Sequence, residues 1–342
     1  MRNQDRKVAV VTGSNSGIGF EIVRRLLESL PADTPITVVL VARHLSKVTA
    51  TVDRLRSYEA SHKYLVFDYV LMDLGSLTTV YDAAKQLRER YTKIDYLFCN
   101  AGGSDFTGIA WWPATKQVLA DPVGAATLPV YKLERTGRVS EDGVGWVFQL
   151  NVYGHYFLAK QLLPQLRGGR VMWTSSIEAD LGNFVADDVT LMHSNMLYER
   201  TKKYQDLLHY TLEPLWRKQG VRTFLTHPGI CATSIFAAHL NWFSSLGMIL
   251  MFCFVRILGS PWHVVDPYKG ALAAVWAATE AESPAAGEYN LKHGTASSTW
   301  YGGPPRVLTT PLDESTEDGK TLLATLDELY AKDVRRIESK II

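Results

Sequence analysis

Tyr198 and Lys202 have the residue types and the spacing of a proton-transfer pair, because residues four apart share one face of a helix. A ketone that accepts a hydride becomes an alkoxide and needs a proton. A tyrosine phenol has a pKa of about 10, and a neighbouring lysine ammonium lowers it. The Ser176 hydroxyl can hold the carbonyl oxygen in line with the phenol, and Asn151 can anchor a water that links Lys202 to solvent. By itself this tyrosine–lysine spacing is common on helix surfaces, so the prediction depends on accompanying motifs.

A glycine-rich turn near the start of the chain lies between an apolar run, Val8–Val11, and a helical pattern. Its glycines let the backbone approach a pyrophosphate, and the helix that follows offers free N–H groups and a partial positive charge. Structural turns also collect glycine, but this position between strand and helix is the one that phosphate binding requires. The sequence therefore predicts a dinucleotide site formed by Thr12, Gly13, Ser14, Asn15, Ser16, Gly17, Ile18 and Gly19.

The end of the second apolar run indicates which dinucleotide is bound. Proteins that bind NAD usually place Asp or Glu there to hold the ribose hydroxyls. This chain has Arg43 at that point, with Lys47 following. A guanidinium is permanently charged and forked, which suits a 2′-phosphate, so NADP(H) is the predicted cofactor. The alternative is an arginine that is simply solvated at the surface.

The elements that must position these residues alternate along the chain. Six short apolar runs are separated by helical patterns, which is typical of a parallel sheet covered on both faces and of a doubly wound, Rossmann-type α/β fold. We predict one domain over residues 1–290, with an inserted loop at 103–142 and an apolar substrate lid at 230–262, and a C-terminal extension over 291–342. The predicted strands are Val8–Val11, Ile36–Ala42, Tyr64–Leu71, Tyr96–Cys99, Arg170–Thr174 and Val221–Thr226.

Composition excludes several classes of protein. The 342 residues carry 36 basic and 35 acidic side chains, a net charge of +1, so nothing favours nucleic-acid binding. Cys99, Cys231 and Cys253 form neither a CxxC pair nor the spacing of metal ligands, so we predict no metal and a reducing compartment. The first residues are polar and lack the apolar stretch of a signal peptide.

In their order along the chain these motifs resemble the short-chain dehydrogenase/reductase family, from residue 7 to about residue 290. The resemblance implies a catalytic set of Asn151, Ser176, Tyr198 and Lys202. It implies that Asp73 approaches the adenine and that Thr233 touches the nicotinamide carboxamide. The implied cofactor residues are those of the glycine-rich turn together with Arg43, Asp73, Asn100, Ala101, Gly102, Tyr198, Lys202, Pro228, Gly229 and Thr233.

Two departures from the family pattern narrow the resemblance. Ser176 and Tyr198 are farther apart than in most members, and the insert after Gly102 is long. With the runs at 172–176 (MWTSS) and 227–230 (HPGI), these features are similar to the 3-keto-steroid (sterol) reductase subgroup, which includes 17β-hydroxysteroid dehydrogenase type 7. The family usually has serine before the lysine, and this chain has Thr201. That difference removes no catalytic group.

The residues that flank the route to Tyr198 predict the substrate class. The stretch 223–255 contains no Asp, Glu, Lys or Arg, and the insert carries Trp111 and Trp112. A charge-free lid suits a large, water-insoluble ring system, since apolar burial contributes about 25 cal/mol per Å². The alternative is that these aromatic residues are ordinary core. The run 240–255 is too short to span a bilayer, so the hypotheses for it are shallow embedding, a lid or a dimer surface.

The residues support three hypotheses about function. The first is NADPH-dependent reduction of the 3-keto group of a sterol or related triterpenoid to a 3-hydroxyl, as in sterol C-4 demethylation. The second is oxidation of a 3-hydroxyl on a 4-carboxylated triterpenoid, with decarboxylation, in a fungal triterpenoid pathway. The third is a non-catalytic membrane scaffold, although a scaffold has no chemical need for the serine, tyrosine and lysine.

The same reasoning predicts the surroundings of the protein. We expect peripheral contact with a membrane, on the cytoplasmic face of the endoplasmic reticulum or on lipid droplets, with a cytoplasmic location as the alternative. A homodimer or a complex of sterol-pathway enzymes is the expected assembly.

Overall fold

A central eight-stranded sheet organises the computed structural model, which describes residues 6–232, 242–281, 290–298 and 303–340. Its strands are β1 (Lys7–Thr12), β2 (Ile36–Ala42), β3 (Leu65–Leu71), β4 (Tyr96–Cys99), β7 (Arg170–Thr174), β8 (Arg222–His227), β9 (Leu291–Ala296) and β10 (Arg306–Pro311). Their order across the sheet is β10-β9-β8-β7-β4-β1-β2-β3, and β10 alone runs antiparallel to its neighbour. The predicted doubly wound α/β fold is confirmed.

Helices cover both faces of this sheet, as the continuous apolar strands predict. One face carries α1 (Gly17–Ser29), α2 (Leu45–Ser61) and α11 (Leu272–Thr279), which bury side chains such as Ile22, Leu55 and Val275 against it. The other face carries four helices with a second apolar core: α3 (Leu77–Arg90), α7 (Gly154–Gln161), α8 (Leu197–Arg217) and α12 (Thr316–Glu338). Strand β3 lies at the edge of the sheet, which is why Val66, Tyr69 and Leu71 remain exposed.

The insert forms a small structure of its own beside the carboxyl edge of the sheet. Strands β5 (Phe106–Ile109) and β6 (Lys132–Glu134) pair antiparallel, with helices α4 (Trp111–Ala120) and α5 (Pro122–Thr127) between them. The chain then enters α6 (Trp146–Phe148), which continues through a π-helical turn, Gln149–Tyr153, into α7. A π-helical turn admits an extra residue and so re-aims the side chains on it, here including Asn151.

The predicted apolar lid contains helix α9 (Trp242–Ile257), followed by the short helix α10 (Pro267–Gly270). Phe252 and Val255 of α9 are buried, whereas Leu250 and Ile257 are 60% and 74% exposed. Residues 233–241 of the predicted lid, including Thr233, lie outside the described residues. Within the ranges that the structure describes, no helix is both long enough and apolar enough to cross a bilayer.

The segment predicted as a C-terminal extension, 291–342, supplies both sheet and helix. Strand β9 pairs in parallel with β8, and β10 pairs antiparallel with β9. Helix α12 packs Leu322, Leu326 and Ile337 into the apolar core beside α8. This segment therefore shares the sheet and the core of the preceding residues, and the chain forms a single domain.

Cysteine burial differs between the sheet and the lid. Cys99 at the end of β4 and Cys231 after β8 are buried, and burial raises the pKa of each thiol. Cys253 on α9 is partly exposed. The described thiols form no disulfide, as expected of a chain with widely separated cysteines.

Candidate active site

A cavity of about 560 Å³ lies at the carboxyl edge of the sheet, where residues that follow β1, β2, β3, β4, β7 and β8 meet. The strand order reverses between β1 and β4, and ligands of open α/β sheets bind at such a reversal. The cavity brings together most of the predicted site: Thr12, Gly13, Asn15, Ser16, Gly17, Ile18, Gly19, Arg43, Asp73, Asn100, Ala101, Gly102, Ser176, Tyr198, Lys202, Pro228 and Gly229.

The glycine-rich turn has the backbone shape that a pyrophosphate requires. Gly13 and Gly17 have φ angles of +68° and +53°, a region that favours glycine. A Cβ on Gly19 would lie 2.2 Å from the Gly13 carbonyl oxygen, so only glycine allows the turn and α1 to pack this closely. A Cβ on Gly17 would meet nothing within 4 Å, so the backbone there faces open space. These features fit a dinucleotide phosphate at the N-terminus of α1.

Thr12 fixes this turn to the loop after β4. Its Oγ1 donates to the Phe98 carbonyl oxygen at 3.0 Å and accepts from the backbone N–H groups of Asn100 and Ala101 at 2.9 and 3.0 Å. The Asn100 amide donates to the Thr12 carbonyl oxygen at 3.0 Å. Ser14 is buried, with its hydroxyl 3.4 Å from the Val41 carbonyl oxygen, and does not line the cavity. Thr12 and Ser14 thus also hold the shape of the site.

Two charged residues at the ends of β2 and β3 lie at the outer part of the cavity. Arg43 lines the cavity and is exposed. Asp73 also lines it, and its Oδ1 accepts from the Gly75 backbone N–H at 2.9 Å. Arg43 directly follows β2, at the position where an NAD-binding chain usually has an acidic residue, and its charged side chain is open to a ligand.

The first turn of α8 carries the tyrosine, and one turn later the same face carries the lysine. The Lys202 Nζ lies 5.5 Å from the centroid of the Tyr198 ring, and the Phe106 ring packs 6.0 Å from the same ring. Burial raises the pKa of Tyr198 above its ordinary value, and the carboxylate of Glu178 raises it further, while a hydrogen bond from the Ser176 hydroxyl lowers it. Without bound cofactor, Tyr198 is therefore held as the neutral phenol, the opposite of the lowered pKa expected from the sequence.

Lys202 is buried and is held from behind by two acceptors. Its Nζ donates to the Thr174 carbonyl oxygen at 2.8 Å and to Gln205 Oε1 at 3.0 Å. Burial lowers the pKa of Lys202 to about 8, against the attraction of Asp206. Asp206 itself forms an ion pair with Lys292 of β9 at 2.7 Å.

Asn151 occupies the π-helical turn, and its side chain fixes the backbone beside the site. Its Oδ1 accepts from the Gly103 backbone N–H at 2.9 Å, and its Nδ2 donates to the Gly103 carbonyl oxygen and to Thr201 Oγ1 at 2.8 and 2.9 Å. A Cβ on Gly102 would come within 2.9 Å of this Oδ1, so Gly102 allows the close approach. The Asn151 side chain does not line the cavity.

Comparison with known proteins agrees with this geometry. A sequence model described as short chain dehydrogenase matches residues 7–242. The chain belongs to the short-chain dehydrogenase family. As a member of this family it is an oxidoreductase that uses a nicotinamide dinucleotide.

Curated relatives of this short-chain dehydrogenase match almost the whole chain. A 3-keto-steroid reductase of Candida glabrata is 38% identical over 92% of this chain and 91% of its own length. The 3-keto-steroid reductase of Saccharomyces cerevisiae is 36% identical over 90% of each chain, and that of Schizosaccharomyces pombe is 35% identical over 90% of this chain and 91% of its own.

Solved structures share the fold at low identity. An uncharacterised protein from Mycobacterium paratuberculosis superposes with a TM-score of 0.58 at 18% identity, over 95% of this chain and 93% of its own. YwfH, an NADPH-dependent reductase, superposes with a TM-score of 0.54 at 14% identity, over 80% of this chain and 92% of its own. These likenesses establish the architecture alone.

The insert adds charged residues to this dehydrogenase site that the sequence analysis does not identify. Lys132 of β6 forms ion pairs with Glu178 and Glu199, and its Nζ lies 5.5 Å from the Tyr198 ring centroid. The side chains of Lys132, Glu178 and Glu199 are only 8%, 12% and 3% exposed. The carboxylate of Glu134 accepts from the backbone N–H groups of Leu197 and Tyr198, at 2.6 and 3.2 Å, at the start of α8.

One lysine among three carboxyl groups leaves this cluster short of positive charge. Burial raises the pKa of Glu178 to about 7, Lys132 opposes that rise, and Glu199 adds to it. Burial also raises the pKa of Glu134. Glu178 lines the cavity two residues after Ser176, so its carboxyl group is part of the site. No local motif marks Lys132 and Glu134, because only the tertiary packing of the insert brings them to Tyr198.

Proposed function

We propose that this short-chain dehydrogenase is an NADPH-dependent 3-keto-steroid reductase, which converts the 3-keto group of a sterol or related triterpenoid into a 3-hydroxyl. The observation that carries the proposal is that Ser176, Tyr198 and Lys202 line one cavity with the glycine-rich turn. The chain also matches about nine tenths of the length of relatives that are 3-keto-steroid reductases. Such a 3-keto reduction is one step of sterol C-4 demethylation.

The residues of the site perform the proton chemistry of this reaction. The glycine-rich turn and Arg43 would hold NADPH, which would supply the hydride that reduces the ketone. The Tyr198 phenol donates its proton to the carbonyl oxygen, which the Ser176 hydroxyl holds in line. The Lys202 ammonium stabilises the phenolate that remains. The raised pKa of Tyr198 keeps its proton in place until the carbonyl oxygen becomes basic.

Preference for NADP over NAD is supported by the end of β2. The exposed Arg43 lines the cavity where an NAD-binding chain usually carries an acidic residue. The charge and fork of a guanidinium match the 2′-phosphate that distinguishes NADP.

The electrostatics of the site favour an uncharged substrate. Glu178 lines the cavity, and Glu199 lies behind it with only Lys132 between them. A carboxylate at C-4 of a triterpenoid would enter beside these groups at a cost in repulsion. Oxidation of a 4-carboxylated triterpenoid is therefore the less supported hypothesis, and a non-catalytic scaffold would have no use for Tyr198 and Lys202.

The exposed apolar face of α9 supports peripheral contact with a membrane. Ile249, Leu250, Phe254, Ile257 and Leu258 are all exposed there, and a water-insoluble sterol reaches the site most directly from a bilayer. The cytoplasmic face of the endoplasmic reticulum or a lipid droplet is the location that fits this chemistry. A homodimer or a sterol-pathway complex remains a prediction.

The test is turnover of a 3-keto sterol with NADPH, followed by nicotinamide absorbance, in parallel with a hydroxysteroid and NADP. Tyr198→Phe should bind NADPH normally and lose turnover by roughly a hundredfold or more. Ketone turnover that persists in Tyr198→Phe would refute the assignment of the proton donor. Binding of NADPH without turnover of any ketosteroid or hydroxysteroid would favour the scaffold.

A further inference from the structure

We infer that Gln205 is a positioning residue for the reduction. Its amide bridges the Lys202 ammonium and the Asn151 backbone and so holds the ammonium in place. Gln205 Oε1 accepts from Lys202 Nζ at 3.0 Å, and Gln205 Nε2 donates to the Asn151 backbone carbonyl oxygen at 2.8 Å. The amide thus spans, by itself, the gap between the lysine and the π-helical turn. The inference rests on the proposed function for its effect on turnover.

The orientation of this amide is fixed by its two partners. An ammonium can only donate and a carbonyl oxygen can only accept, so the glutamine oxygen must face Lys202 and its nitrogen must face Asn151. Gln205 is 1% exposed, and it follows Lys202 by three residues, close to one turn of α8. A buried amide with both ends bonded in this way has one stable arrangement.

The contacts of Asn151 show why a second amide is needed. Its side chain is bonded to both backbone groups of Gly103 and to Thr201 of α8, so what it offers towards Gln205 is its backbone carbonyl. Through the hydrogen bonds of the described residues, Asn151 is linked to Lys202 by way of Gln205.

Two acceptors behind an ammonium determine where its third hydrogen points. Lys202 Nζ has three N–H donors. The Thr174 carbonyl oxygen and Gln205 Oε1 take two of them, at 2.8 and 3.0 Å. The third is left for the cavity, where the Tyr198 ring centroid lies 5.5 Å from Nζ. Loss of the Gln205 oxygen would let the ammonium rotate away and would remove a dipole that stabilises its charge.

Several charged or titratable groups surround Lys202 and set the field in which Gln205 acts. The charged ones are Asp206 on α8, Lys292 on β9 and Glu178 after β7, and the neutral ones are Tyr198 on α8 and the buried His155 on α7. Burial lowers the pKa of Lys202 to about 8, so its ammonium form begins to be lost about one pH unit above neutrality. The Gln205 oxygen favours the ammonium together with the Thr174 carbonyl oxygen and the carboxylates of Asp206 and Glu178.

Two substitutions of Gln205 test the inference in opposite directions. Gln205→Met keeps the length of the side chain and removes the acceptor, so the Lys202 ammonium should lose its proton at lower pH. The basic limb of kcat/KM for ketone reduction should then move down by about one pH unit, and kcat should fall about tenfold. Gln205→Glu keeps an oxygen facing Lys202 and adds negative charge, so the basic limb of kcat/KM should move to higher pH.

Gln149→Met is the matched control. Gln149 is also a fully buried glutamine on the π-helical turn, with its amide nitrogen bonded to the Leu74 carbonyl oxygen and to Asp142, and it does not touch Lys202. The Gln149→Met variant should lower the melting temperature as Gln205→Met does, and it should leave the basic limb of the kcat/KM profile where it is in the wild type. A limb that stays in place in both Gln205 variants, or that moves equally in Gln149→Met, would overturn the inference.

A second measurement separates this inference from the proposed function. Quenching of protein fluorescence by NADPH, titrated between pH 6 and pH 10, reports the protonation of Lys202 without turnover. As the pH rises, the affinity for NADPH should fall when Lys202 loses its proton. We expect this fall to begin at a lower pH in Gln205→Met than in the wild type, and at a higher pH in Gln205→Glu. If 3-keto sterols are not turned over, the proposed function fails and these binding curves still decide the role of Gln205.

Discussion

The carboxyl groups around Tyr198 outnumber the cations that face them. Glu134, Glu178 and Glu199 share Lys132, and all four lie within the small space between the insert and α8. Like charges in a buried cluster cannot all ionise together without cost, so at least one carboxyl group titrates near neutrality.

The first residue-scale prediction concerns Glu178 and the pH dependence of stability. Its pKa is raised from an ordinary 4.5 to about 7 in the folded protein. The unfolded chain therefore ionises first, and the wild type should lose stability between pH 4.5 and pH 7 through this group. Glu178→Gln should remove that loss, so the difference in free energy of unfolding between variant and wild type should rise across this window and level off above it.

Urea unfolding at several pH values between 4.5 and 8 measures this difference. Glu141→Gln, which removes an exposed carboxyl group of the insert, is the matched control. A constant difference between Glu178→Gln and the wild type would show that Glu178 has an ordinary pKa.

The second residue-scale prediction concerns Arg43 and the choice of cofactor. Hydrogen bonds to a charged group contribute about 1.5–3 kcal/mol. Arg43→Ala should therefore raise the KM for NADPH roughly tenfold or more and leave the KM for NADH nearly unchanged. Arg56→Ala, which removes an exposed arginine paired with Asp53 on α2, is the matched control. Equal changes for both cofactors would remove Arg43 from the recognition of the phosphate.

At the scale of elements, the insert acts as a cap on the catalytic helix. Helix α8 begins after Met196, whose φ of +51° marks a sharp turn, and the Glu134 carboxylate binds the first N–H groups of the helix. These N–H groups have no partner within the helix, and a carboxylate also complements the helix dipole. The insert thus fixes the point at which the chain turns to present Tyr198.

Glu134→Ala should reduce stability by about 1–2 kcal/mol, the usual cost of losing an N-terminal cap. Because Tyr198 lies in the first turn, kcat should fall while the KM for NADPH changes little. Denaturant unfolding and steady-state kinetics check both effects. Stability and kcat at wild-type levels would mean that α8 starts without help from the insert.

The sequence predicts elements well where a local pattern carries the information. Continuous apolar runs mark β1, β2, β4, β7 and β8 within a residue or two, because buried parallel strands are apolar throughout, and a mostly apolar run also marks the edge strand β3. The glycine-rich turn and the tyrosine–lysine spacing are equally local. Strands β9 and β10 contain Lys292, His293 and Thr309, so their polar residues hide their place in the sheet.

Contacts between distant segments explain what the sequence does not predict. Lys132 and Glu178 meet because the insert folds back over α8, and Gln205 acquires its role because a π-helical turn brings the Asn151 carbonyl to it. Nothing in the spacing of these residues indicates such contacts. The raised pKa of Tyr198 has the same origin, since it depends on burial and on Glu178.

At the scale of the whole molecule, apolar side chains remain exposed on α9, as they also do on α4 of the insert. Replacing Leu250 and Phe254 by Glu should lower the fraction of protein that sediments with phospholipid vesicles, because charges are costly at the acyl boundary. Turnover of a detergent-solubilised ketosteroid should stay close to that of the wild type. Leu45→Glu, at an exposed leucine of α2, is the matched control. Unchanged sedimentation would favour a lid or a dimer surface for α9.

The uneven burial of the three thiols makes the protein ready for labelling as it stands. Maleimide reagents attack thiolates, and Cys99 and Cys231 are both shielded and hard to ionise. Cys253 is the accessible sulfur, and it lies on α9 beside Phe254. A polarity-sensitive dye attached there would report, by the colour of its emission, whether this helix meets lipid, sterol or water, without any engineered cysteine.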